Sequence, residues 1–161
     1  MMREFSAGGV VVRHMRGRWQ TAAIEPAGRS SARGKPVLAL PKGLVDAGET
    51  PDLTAIREVR EETGLETMLV TKLRDIKYVY TRSWGGGERV FKIVSFYLLR
   101  YESGKLGEIA PEMRIEVAGA RWILLDEAPQ LLAYKGEREV AAQAIEYINT
   151  HPEMRRFEAS R

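Results

Sequence analysis

The sequence predicts an α/β domain of the α+β kind, a mixed β-sheet with helices packed against it in an α/β/α or α+β layered arrangement. Two features lead there. Runs rich in β-branched and aromatic residues both precede and follow one strongly marked helix. A second amphipathic helix then closes the chain. The 161 residues are enough for one domain with a full core. We read 1–161 as a single domain, with its core over about 4–149 and a polar C-terminal tail.

The elements follow in order. "SAGGVVVRH", Ser6–His14, reads as a first strand, and Trp19–Pro26 as its hairpin partner. Ala27–Pro36 is rich in Gly, Ser and Arg and reads as a long hairpin connection rather than a lid. "VLALP" is a short strand ending at Pro41, and "KGLVDAGE" a turn-rich loop. A helix then starts with Thr50 as cap, Pro51 in the first position and Asp52 at the positive end, and it stops at Gly64. "ETMLVTKLRDIKYVYT" and "ERVFKIVSFYLLRY" are strands joined by the Gly-rich turn "SWGGG". Ala118–Leu125 is a further strand. In "EREVAAQAIEYIN", Val140, Ala141, Ala144, Ile145 and Ile148 share one helix face.

Composition narrows the function. No run approaches the ~18–20 apolar residues of a membrane span, and the N-terminus lacks the long apolar stretch of a secretion signal. Cysteine is absent, which removes disulfides and thiolate chemistry and makes a cytoplasmic location the default. A net charge of +3 permits anionic partners, yet no dense Lys/Arg block marks specific DNA binding. The distribution says more than the total. Residues 43–65 hold six acids, Asp46, Glu49, Asp52, Glu58, Glu61 and Glu62, against two bases, Arg57 and Arg60. An acidic patch in a basic protein is a candidate cation site.

On a helical wheel, with Glu58 at 0°, Glu62 falls at about 40° and Glu61 at about 300°. Ala55, Ile56, Val59 and Thr63 form the adjoining core side. The three carboxylates therefore share a face beside the buried stripe, where like charges repel by ~0.2–0.5 kcal/mol per pair. A solvated face with incidental acids is the plain alternative. Against it stand Glu49 and the glycines Gly43 and Gly48, which let the preceding loop fold back towards the helix. Clustered carboxylate oxygens suit Mg²⁺ or Mn²⁺.

Gly43, five residues, Glu49, seven residues, then "REVREETGL", Arg57–Leu65, matches the Nudix box at every fixed position. The chain thus resembles the Nudix hydrolases, over roughly Glu4–Asn149. The resemblance implies a Nudix-type α/β/α sandwich with a mixed sheet, a box helix and a C-terminal helix. It implies hydrolysis of a nucleoside diphosphate linked to another moiety, with about one to three Mg²⁺ or Mn²⁺ ions. By position, Glu58, Glu61 and Glu62 are the implied metal ligands. Glu49 and the carbonyl of Gly43 are further candidates. Arg57 is implied to orient a carboxylate. Glu58 or a downstream glutamate helps activate water, with Glu116 favoured and Glu112 competing.

Outside the box, "LPKG" resembles the entry of members acting on diadenosine or diphosphoinositol polyphosphates, and "YVYTRSWGGGERVFKIVSFYLLRY" resembles strands of bacterial diadenosine polyphosphate hydrolases. That similarity points Lys42, Tyr78 or Tyr80, Arg89 and Lys92 at an anionic nucleotide or polyphosphate, with an aromatic stacked on adenine. Half-buried strand aromatics are the competing reading for the tyrosines. His14 and His151 read as surface or satisfied histidines. The leading expectation is a dinucleoside polyphosphate hydrolase. The rivals are pyrophosphohydrolysis of oxidised nucleoside triphosphates or RNA 5′ ends, and a non-catalytic nucleotide sensor.

Overall fold

The computed structural model describes residues 1–29 and 34–155. Part of the Ala27–Pro36 connection and the end of the polar tail lie outside the described residues. The elements are β1 (Met2–Met15), β2 (Arg18–Pro26), β3 (Lys42–Leu44), α1 (Pro51–Thr63), β4 (Glu66–Thr81), β5 (Arg89–Ser103), β6 (Val117–Leu124), α2 (Ala128–Leu131) and α3 (Lys135–Thr150). Six strands form one mixed sheet in the order β4-β5-β1-β2-β6, with β3 attached to β1. The β1–β5 pair is parallel and the other pairs are antiparallel.

Strand β1 organises the sheet. One edge runs beside β5 from Met2↔Val90 to Val12↔Arg100. The other edge is divided, with Ser6–Gly8 meeting β3 and Val12–Met15 meeting β2. Alternation sends its residues into two cores. Val10 and Val12 pack with Phe96, Leu98, Val140, Ala144 and Ile148 on the α3 side. Ala7 and Val11 pack with Ala55, Val59, Leu65 and Leu99 on the α1 side. These are the two interfaces of an α/β/α sandwich. Gly9 lets α1 come close: a Cβ there would lie 2.5 Å from Leu99 and 3.3 Å from Val59.

The closing helix starts at Lys135, two residues before the expected Glu137, and Val140, Ala141, Ala144 and Ile148 are buried on it as its periodicity predicts. Gly64 ends α1 in the left-handed region at φ 86°. Thr50 occupies the N-cap, but its side chain makes no capping bond. The third strand differs from expectation. Pairing falls on Lys42–Leu44, inside the segment read as loop, while Val37–Pro41 keeps only a bridge between Ala39 and Ile24. Pro41 has no N–H to give a ladder, and the amide of Leu40 is taken by a side chain, the carboxylate of Glu137, at 2.7 Å.

Candidate active site

The site forms where α1 meets the short strand β3. Helical geometry places Glu58 and Glu62 one turn apart and turns both inward. They are 6% and 4% exposed, deeper than the wheel suggests. Glu61 lies towards the rim, its side chain 26% exposed.

Arg57 ties the acids together. Its Nε and Nη2 donate to the two oxygens of Glu49, at 2.8 and 2.9 Å. Its Nη1 donates to Glu58 at 2.9 Å and Glu61 at 3.1 Å. Its Nη2 also reaches the Leu44 carbonyl at 3.0 Å and lies 3.4 Å from Asp46. The guanidinium supplies the fixed fork this needs. Hydrogen bonding to Arg57 brings Glu49 down to about pKa 2, and the same partner pushes the arginine further up. Glu49 also accepts from the Thr54 hydroxyl and the Asp46 amide. Both its oxygens are therefore engaged by the protein, which sets it behind Arg57 rather than facing a ligand. Gly48, at φ 79°, makes the turn that delivers it.

Glu58 and Glu62 differ from Glu49. Burial raises Glu58, with Arg57 opposing, and Glu58 Oε2 is buried with no hydrogen-bond partner. Burial and then the neighbouring Glu58 push Glu62 up to about 8, against a hydrogen bond of 3.1 Å from the Lys42 amide. Gly43 has a steric role in place of the expected turning role. It lies in β3, and a Cβ on it would sit 2.1 Å from the Glu58 carboxyl carbon.

The loop after β5 closes the other end. Gly107 and Ala110 donate their amides to the Thr63 and Glu61 carbonyls, both at 2.9 Å, satisfying the C-terminus of α1. The chain then reaches Glu116, whose carbonyl accepts the Ala27 amide at 2.8 Å. The Glu116 charge acts on both Glu58 and Glu62 and helps raise them, whereas Glu112 is not among the principal groups acting on either.

The expected substrate contacts divide. β3 pairs Ala7 with Gly43 and Gly8 with Lys42, so Gly43 faces α1 and Lys42 faces α3. The Lys42 ammonium bonds Glu137 at 3.0 Å and lies 5.7 Å from the Tyr134 ring centre. Tyr78, Tyr80 and Lys92 share the α3-side face of the sheet with Lys42. Tyr80 donates to Glu4 at 2.9 Å, and Lys92 pairs with the same carboxylate at 3.1 Å. Arg89 pairs with Thr81 three residues before Lys92, so alternation puts it on the opposite face. That is the face from which Tyr97 and Leu99 pack towards α1. Sequence reasoning missed Glu4, Tyr134 and Glu137, whose partners lie far away in the chain and leave no local signal.

Among the described residues, no group of three acidic or imidazole side chains is gathered closely enough to form a finished cation cage. Arg57 stands between Glu58 and Glu61. The donor set still fits a divalent cation: hard carboxylate oxygens, two of the three acids buried and raised in pKa, one buried oxygen without a partner. No described helix is long and apolar enough to cross a membrane.

The chain is 38% identical over 148 residues to a Mycobacterium tuberculosis protein named mutator protein MutT4, covering 92% of this chain and 57% of that one. It thus spans little more than half the length of that relative. It is 30% identical over 118 residues to the asymmetrical bis(5′-nucleosyl)-tetraphosphatase of Mus musculus, covering 70% and 72% of the two chains. Its fold matches a Caenorhabditis elegans Ap4A hydrolase binary complex with TM-score 0.69 at 18% identity, over 91% of this chain and 98% of that one. The NUDIX domain profile matches residues 6–144, and with the box set on α1 as described, the chain belongs to the NUDIX family.

Proposed function

We propose that the protein is a metal-dependent pyrophosphohydrolase that cleaves a nucleoside diphosphate linked to another moiety, with a dinucleoside polyphosphate such as diadenosine tetraphosphate as its substrate. The observation that carries the reading is the buried pair Glu58 and Glu62. Two carboxylates with raised pKa and a partnerless oxygen are costly in a folded core unless they serve a ligand. NUDIX members generally need a divalent cation such as Mg²⁺ or Mn²⁺. Glu58, Glu61 and Glu62 would hold it here, with the Gly43 carbonyl as a further candidate. When bound, it supplies charge neutralisation on the diphosphate oxygens and acidifies water.

The chain's own groups do the rest. Arg57 orients Glu58 and Glu61, with Glu49 behind it fixing the guanidinium. A water oxygen bonds to phosphorus as the anhydride P–O bond breaks. Its proton passes to a carboxylate, for which Glu58 and Glu116 are the two acceptors. A carboxylate raised by burial is the better base of its type. Lys42 and Lys92, with Tyr78 and Tyr80, form the face for the nucleotide, and Tyr134 adds an aromatic beside Lys42. The relative named as a bis(5′-nucleosyl)-tetraphosphatase supports this substrate class. A cytoplasmic location goes with it, as the nucleotide pool lies there, and residues about 4–149 act as one domain.

A Mycolicibacterium smegmatis relative named 8-oxo-(d)GTP phosphatase, 32% identical over 106 residues, favours a second reading, pyrophosphate release from an oxidised nucleoside triphosphate. A substrate panel with Mg²⁺ and Mn²⁺ in ¹⁸O-labelled water separates the two. Unequal cleavage of diadenosine tetraphosphate, with label in one product, is expected. Fast pyrophosphate release from a triphosphate without turnover of diadenosine tetraphosphate would overturn the first reading in favour of the second.

A further inference from the structure

Glu137 stands in the first turn of α3, on the opposite side of the sheet from the box helix, and is 4% exposed. Both oxygens of this buried carboxylate are partnered, and both partners lie on one short segment. Oε1 accepts the Leu40 amide at 2.7 Å and Oε2 accepts the Lys42 ammonium at 3.0 Å. Between them sits Pro41, which has no N–H and whose carbonyl accepts the Gly9 amide at 3.2 Å. The Lys42 amide reaches the other way, to Glu62 at 3.1 Å. The next residue, Gly43, lies against Glu58. Four consecutive residues thus run from a carboxylate rooted in α3 to two carboxylates rooted in α1.

We propose that Glu137 is a positioning residue for the site on α1: it holds Leu40–Lys42 where the Lys42 amide meets Glu62, and it fixes the Lys42 ammonium beside Tyr78 and Tyr134 on the nucleotide face. It touches neither cation nor substrate. The two oxygens divide the work. The bond to Leu40 governs the backbone and therefore cation affinity through Glu62. The bond to the ammonium governs substrate affinity through Lys42. The substrate half rests on the proposed function, while the cation half requires only that Glu58, Glu61 and Glu62 take a divalent ion.

The test uses the full chain and two substitutions that separate the oxygens. Glu137→Gln keeps a carbonyl oxygen for the Leu40 amide and removes the charge facing Lys42. Glu137→Ala removes both. Mn²⁺ alone is titrated into each protein and read by electron paramagnetic resonance, with folding checked by circular dichroism. The expected Mn²⁺ Kd of Glu137→Gln stays within about threefold of wild type, while Glu137→Ala weakens it at least fivefold. In turnover, Glu137→Gln raises KM at least fivefold with a smaller change in kcat. Lys42→Met then adds little on top of it, because the two residues act as a unit. Glu137→Gln and Lys42→Met effects that multiply independently would overturn the substrate half. An unchanged Mn²⁺ Kd in folded Glu137→Ala would overturn the cation half. Should Glu137→Ala fail to fold, Glu137→Met, which fills the same space and accepts no bond from the Leu40 amide, takes its place under the same criterion. A wild-type protein that binds Mn²⁺ but hydrolyses nothing would sink the proposed function and leave the Mn²⁺ comparison standing.

Discussion

The α-carbon of Gly43 lies so close to the carboxylate of Glu58 that a single added methyl would stand 2.3 Å from both oxygens. Glu58 is buried and crossed by Arg57, so it has little room to withdraw. Gly43→Ala is expected to weaken Mn²⁺ binding at least tenfold and to cost about 1–3 kcal/mol of stability, as overpacking does. Titration calorimetry and denaturant unfolding read the two effects. Unchanged Mn²⁺ affinity would mean that Glu58 is free to move aside.

Arg57 satisfies five acceptor oxygens on four residues with one planar group. Lysine keeps the charge but has no fork. Arg57→Lys is expected to lower kcat at least 100-fold and to weaken Mn²⁺ binding, and the truncated Arg57→Ala to be rescued in part by free guanidinium. Activity assays with and without guanidinium at modest concentration test this. A Lys variant with near wild-type kcat would show that charge alone suffices.

The acids set opposite pH dependences. Glu62 has its pKa raised from 4.5 to about 8, so between those values the fold holds a proton that the open chain has lost. Its stabilising contribution is complete below about 4.5 and is lost as pH rises towards 8. Glu49, lowered to about 2, acts in the other direction, and its contribution disappears as pH falls from 4.5 towards 2. In EDTA, the thermal midpoint should therefore be highest near pH 5 and decline on both sides. Excess Mg²⁺ should remove the decline on the alkaline side, because a bound cation takes the place of the proton. A midpoint in EDTA that climbs steadily from pH 5 to 8 would contradict the burial of Glu62.

Glu116 and Glu112 were rivals on sequence, and only Glu116 is among the principal charges acting on Glu58 and Glu62. Glu116→Gln should lower kcat at least tenfold and move the acidic limb of the pH–rate profile to lower pH, since a negative neighbour has gone. Glu112→Gln should change kcat less than threefold. The reverse order would exchange their roles.

On the nucleotide face, Lys92→Met is expected to raise KM about fivefold or more, whereas Arg89→Ala, on the other side of the strand, should alter it less than twofold. Steady-state kinetics at fixed Mg²⁺ decides. Equal effects would place both side chains within reach of substrate.

Most of the carboxylate side was legible in the chain, because a helix turns spacings of three and four into neighbours in space. The order of strands and the closing helix were legible for the same kind of reason, period and punctuation. The opposite wall was not. Glu137 meets Leu40 across 97 residues and Tyr80 meets Glu4 across 76, and no pattern within a window reports such pairs. The shift of the third strand from Val37–Pro41 to Lys42–Leu44 has a related origin. Glycine and proline there look like turn residues, but Gly43 serves close packing, and the pairing comes from β1, more than thirty residues earlier.

Because Lys42 and Gly43 point to opposite layers, the three-residue strand β3 works as a counting device. Substitution in it alters one contact, but insertion or deletion of a single residue exchanges the two faces. The ammonium would be driven towards Glu58, and the gap that accommodates that carboxylate would open on the wrong side. The spacing from Leu40 to Leu44 is therefore fixed in length more strictly than in composition.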